Sequence, residues 1–102
     1  MFDTDVDQTA NDDVFGGSAT IYSLRIDNSG ALAWVKLYDG ATATVGTTDP
    51  DYILQAEASE TIVWTVIDGF AMNNLTLAAT NSAGTGGPST PAGTVKVHAV
   101  AR

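Results

Sequence analysis

The chain contains no cysteine. Disulfides and thiolate metal sites are therefore excluded, and composition says nothing about the redox state of its compartment. Positive charge is almost as scarce. Four Lys and Arg stand against 12 Asp and Glu, giving a formal net charge of −8 and an isoelectric point near 4.1. Such a chain is repelled by phosphate backbones, so direct nucleic-acid binding is not expected, whereas a basic surface would attract it. Long apolar runs are missing as well. None approaches the ~20 residues that span a bilayer, and no membrane contact is expected. The opening MFDTDVDQ is acidic, has no hydrophobic stretch and does not read as a secretory signal. Helix-forming composition is the last absence: charged residues are only 16%, and Thr stands where a bundle would carry Lys and Glu.

What remains is a chain of 102 residues, 44% hydrophobic, with 10 glycines, which fits one modest core and many turns. Five of the 12 acids (Asp3, Asp5, Asp7, Asp12, Asp13) precede Val14, in a stretch with few apolar residues. Residues 1–17 are expected to form an extended acidic arm, ordered only where something holds it, with Gly16-Gly17 as a hinge. Residues 18–102 are expected to be the folded domain. There, ATIYSLRID, ALAWVKLYD, YILQA, TIVWTVI, LTLAATN and TVKVHAVA read as short strands. Turn residues separate them, with two long loops at Gly40–Asp51 and Ser82–Gly93 and an irregular corner at DGFAMNN. The expected fold is all-β, an antiparallel, jelly-roll-like β-sandwich with the acidic arm attached.

Alternation assigns faces. Tyr22, Leu24 and Ile26 form one apolar face, as do Ala33, Val35 and Leu37, then Ile62, Trp64 and Val66, and finally Val95, Val97 and Ala99. The outward sets should be polar, yet they contain Ile21, Leu32, Trp34, Tyr38, Val63 and Val100. A small sandwich with apolar residues on both sides of its strands calls for burial against another copy or another protein. Trp34 and Tyr38, with Lys36 between them, are the candidate partner interface, because Trp and Tyr are enriched where surfaces associate. Trp34 in the core is the competing reading. Asp3, Asp5 and Asp7 join the candidate interface through charge.

The residue types that carry chemistry elsewhere have plainer explanations here. Asp3, Asp5 and Asp7 echo a calcium loop, but Gln8 stands where such a loop needs Gly, and no Glu follows at its twelfth position. His98 is the only histidine, no serine sits in a nucleophile elbow, and GTGGP lacks the Lys-Ser/Thr of a phosphate loop. Asp49 and Asp51 flank Pro50 in a turn. No catalytic residue, metal ligand or cofactor site is expected, and the chain does not read as an enzyme.

Several blocks (YSLRIDN at Tyr22–Asn28, VKLYD at Val35–Asp39, VGTTDPD at Val45–Asp51 and LTLAAT at Leu75–Thr80) together resemble the small β-sandwich structural proteins of tailed-bacteriophage virions. The resemblance covers most of residues 19–100 and leaves out the acidic segment. It implies a capsid cement, or head decoration, protein on the outer surface of the capsid. Its partner would be the major capsid protein, and it would itself be a homo-oligomer, with a trimer matching local threefold positions. The alternative is a carbohydrate-binding or adhesive module of a tail, fibre or cell surface, using Trp34, Tyr38 and Asp39.

Overall fold

Period-two alternation of β-branched and aromatic residues with Thr, Ser and Asp builds strands rather than helices. In the computed structural model, which describes residues 2–3, 6–86 and 89–102, seven strands form. They are β1 (Phe2–Asp3), β2 (Ala19–Asn28), β3 (Ala33–Asp39), β4 (Tyr52–Ala56), β5 (Thr61–Met72), β6 (Leu75–Thr80) and β7 (Val95–Ala101). A four-stranded sheet runs β1-β7-β2-β5 and a three-stranded sheet runs β4-β3-β6, with every pair antiparallel. The steps from β2 to β3, β4 to β5, β5 to β6 and β6 to β7 each change sheet, so the fold is an antiparallel two-sheet arrangement consistent with a β-sandwich.

The core lies between the sheets. Leu24, Ile26, Val95, Val97 and Ala99 from one meet Ala33, Val35, Leu37, Leu75, Leu77 and Ala79 from the other, each at most 2% exposed. Fully burying a Val, Leu or Ile side chain stabilises by about 1.5–3 kcal/mol, most of it offset by the entropy of ordering the chain. Tyr52 on β4 with Trp64 and Phe70 on β5 closes one side between the sheets, with ring centroids 4.9–5.9 Å apart.

The opposite side is closed by the N-terminal segment. Val6, 3% exposed, belongs to the core, and its N–H donates to the Val95 carbonyl at 2.8 Å. Further on, the Asp7 carbonyl accepts from the Ala79 N–H, Asn11 and Leu77 exchange hydrogen bonds, and the Val14 N–H donates to the Leu75 carbonyl. Residues 7–14 thus run along the edge of β6, and Val14 and Phe15 pack against the core. The expectation that this segment buries little apolar surface does not hold at these three residues.

Two face assignments are corrected. Ile21, expected to point outward, is fully buried, and Tyr22, expected inward, is not. Both ladders of β2 shift register between Ile21 and Ser23. The resulting bulge puts Tyr22 and Ser23 on the same outer side and returns Ile21 to the core. Opposite it, β5 takes five steps, Thr65 to Phe70, where β2 takes two. The expected irregular corner at 68–74 is therefore mostly strand: β5 continues to Met72 beyond this bulge.

Candidate interaction surface

The outer faces of the two sheets differ. On the three-stranded sheet the outward residues Lys36, Thr76, Ala78 and Thr80 are all fully buried. Segments of the two long loops and the end of β6 account for this. The Lys36 Nζ donates to the Gly84 carbonyl, the Thr76 Oγ1 to the Gly40 carbonyl at 2.6 Å, and the Thr80 Oγ1 to the Ser82 carbonyl at 2.8 Å. The loops are tied to each other where the Thr85 Oγ1 donates to the Asp49 Oδ1 at 2.6 Å. Burial lowers the pKa of the Lys36 ammonium and raises that of the Tyr38 hydroxyl, because both charged forms lose hydration.

Of the residues expected at a partner interface, Lys36 and Tyr38 are thus covered by their own chain, Tyr38 being 2% exposed. Trp34 is half-buried, between Gln55 and Thr80 in the ladder. Asp3 sits in β1 opposite Val97. Asp5 lies outside the described residues. Asp7 accepts the Thr9 N–H on its Oδ1 at 2.7 Å, a local turn. Trp34, Lys36 and Tyr38 share a strand face but offer no joint surface. Asp39, the loop acid of the carbohydrate reading, accepts the N–H groups of Asn73 and Asn74 at 2.8 and 3.1 Å and holds a turn.

The outer face of the four-stranded sheet is open. Register places its side chains in rows: Thr61, Asp27 and Lys96; Val63, Arg25 and His98; Thr65, Ser23 and Val100. Val63 is 61% exposed and Val100 51%. Ile67, on the bulge of β5, is 91% exposed. Arg25 pairs with Asp27 at 3.2 Å, and Arg102 lies over the Tyr22 ring, 5.8 Å from its centroid. Three of the chain's four Lys and Arg residues (Arg25, Lys96, Arg102) therefore stand on this one face of a strongly acidic protein. A polar cleft of about 330 Å³ lies at one end, with Arg25 and Lys96 balanced by Asp27 and Glu60. Among the described residues, no group of three His, Cys, Asp or Glu is placed to hold a metal ion.

Parity had marked Val63 and Val100 as outward and apolar. Arg25, Lys96 and Ile67 lie outside the expected interface, although the same alternation places the first two on the same face as those valines. Comparison with protein families, with curated proteins and with solved structures found no match.

Proposed function

We propose that this chain is a non-enzymatic structural protein of a tailed-phage virion, a capsid cement protein that sits on the outer surface of the capsid and bridges major capsid subunits. The observation that carries the reading is the open sheet face, which exposes Val63 next to Arg25 and Val100 two rows from Lys96, with Ile67 exposed on the adjoining bulge of β5. A shell under internal pressure gains stability from a clip across its subunits. A clip needs complementary surface on a rigid scaffold and no reacting group. Apolar burial on this face supplies about 25 cal/mol per Å², and the paired charges at its end, Arg25 and Lys96 with Asp27 and Glu60, fix its register on the shell.

In this role the domain is a jelly-roll-like sandwich whose acidic N-terminal segment is a strap along its own β6 as well as a source of charge. Its acids would add a salt-screened attraction to basic patches nearby. The test is occupancy on purified particles depleted of this protein, titrated at low and high salt. Saturable binding that Val100→Lys abolishes is expected. No binding at saturating protein overturns the reading and leaves the adhesive one, for which a glycan array is the direct assay.

A further inference from the structure

β5 is the longest strand, 12 residues, and the last in its sheet. The Asn28 N–H donates to the Glu60 carbonyl at 2.9 Å, and the Ser29 N–H to the Thr94 carbonyl at 3.0 Å. Ladder parity follows from these two bonds. The N–H and C=O of Ile62 and Trp64 point at β2, whereas those of Thr61, Val63 and Thr65 point away from the sheet. The side chains of these three are exposed on the outer face. Natural proteins guard such edges with Lys, Pro, inward charge or short length. The run TIVWTVI at 61–67 has no charge and no proline. β4, at an edge of the other sheet, is only five residues long and follows Pro50.

We propose that β5 pairs antiparallel with β5 of a second copy of this chain, about a two-fold axis at Val63, joining two four-stranded sheets into one. The stretch is self-complementary about that residue. Val63 would face its own copy, Thr61 of one copy would face Thr65 of the other, and Ile62 would face Trp64. All are β-branched or aromatic cross-strand pairs, and no like charges oppose each other. An axis at Ile62 or Trp64 also meets parity, with that residue facing its copy as a non-hydrogen-bonded pair, but it leaves only three facing pairs within 61–65 against five about Val63. An axis at Thr61 would draw the turn at 57–60 into the ladder, and one at Thr65 the bulge at 66–69. Val63 is the position that keeps both out with all five pairs made. The contact is two-fold, in place of the threefold association expected from the sequence, and it stands independently of the virion reading: dimerisation and particle binding can each fail without the other.

The experiment is analytical ultracentrifugation of the full chain from micromolar to millimolar concentration, at low and high salt, with amide hydrogen exchange on the same samples. A monomer–dimer equilibrium is expected, and it tightens with salt because two copies of charge −8 repel each other. Val63→Pro removes an N–H that takes no part in the ladder with β2, so its circular dichroism should match wild type while dimerisation weakens at least about tenfold. Val63→Lys, which sets two like charges face to face, should do the same. In the wild type, the Val63 and Thr65 amides should gain protection with concentration, while those of Ile62 and Trp64 stay protected throughout. A trimer, a monomer at every concentration, or a dimer that Val63→Pro leaves intact overturns the proposal.

Discussion

Asn28 ends β2 with its amide almost fully buried, 3% exposed. Its Nδ2 donates to the carbonyls of Ala31 at 2.7 Å and of Ala56 and Glu57 at 3.1 Å, and its Oδ1 accepts the Gly30 N–H at 3.1 Å. One side chain thus stitches the β2–β3 turn to the turn between β4 and β5, across the two sheets. Asn28→Ala removes these bonds and leaves buried carbonyls without a donor. At about 0.5–1.5 kcal/mol net per bond, with some desolvation cost for the orphaned groups, the loss should be about 2–4 kcal/mol. For a domain of this size that lowers Tm by roughly 10–25 °C. Asn28→Asp is the sharper perturbation. It is nearly isosteric but sets a carboxylate against three carbonyl oxygens, so it should cost more than Ala at neutral pH. Burial raises the folded-state pKa of such a carboxylate above its unfolded value of about 3.9, so the deficit should shrink as pH falls toward that value. Urea denaturation of both variants at neutral and acidic pH measures this. Asn28→Ala within about 0.5 kcal/mol of wild type, or Asn28→Asp no worse than Ala at pH 7, would refute the role of the amide.

Gly69 combines a φ of +73° with a lack of space: a Cβ there would lie 2.5 Å from the Thr20 Cγ2 and 2.9 Å from the Tyr22 Cε1. Gly69→Ala should cost about 2–4 kcal/mol in a urea melt, and a neutral result would show that the paired bulges relax freely. Deleting residues 1–15 removes Val6 from the core and the partners of the Leu77 and Ala79 N–H groups, so a loss of at least about 3 kcal/mol is expected. An unchanged melt would mean that the N-terminal segment only decorates the domain. The lowered pKa of Lys36 means that the unfolded chain binds more protons between the folded value and 10.5, so this group's contribution to stability rises with pH across that window. The difference in unfolding free energy between wild type and Lys36→Met, followed from neutral to alkaline pH, should therefore move in favour of wild type; a flat difference would contradict it.

Most strands were legible because a strand with one buried face must alternate, and Leu24/Ile26, Val35/Leu37, Leu75/Leu77 and Val95/Val97 do so without interruption. The same alternation placed Val63 and Val100 outside. It failed at Ile21 and Tyr22, where one extra residue in β2 flips parity and no residue type announces it; the bulge fits because Gly69 across the ladder leaves room for Thr20 and Tyr22. It also misjudged the working surface. Lys36 and Tyr38 are on the outward side of β3 as alternation requires, but loop segments with polar, glycine-rich sequences fold across that side. Whether a loop lies on a sheet or extends away depends on bonds such as Lys36 to Gly84 and Thr85 to Asp49, which join residues far apart in sequence. The acidic N-terminal segment misled for a related reason. Its composition is that of a free tail, yet its backbone completes the edge of β6, and backbone hydrogen bonding is nearly independent of side-chain charge.

As proposed, the open sheet face clips subunits of a pressurised shell together. This is tested most directly by heating purified particles that lack this protein, with and without saturating amounts added back, and following release of packaged DNA. A higher rupture temperature is expected with wild-type protein and no gain with Val100→Lys, which should fold normally because Val100 is 51% exposed. Wild-type protein that binds at saturation and leaves the rupture temperature where it was would show that this face does not clip the shell.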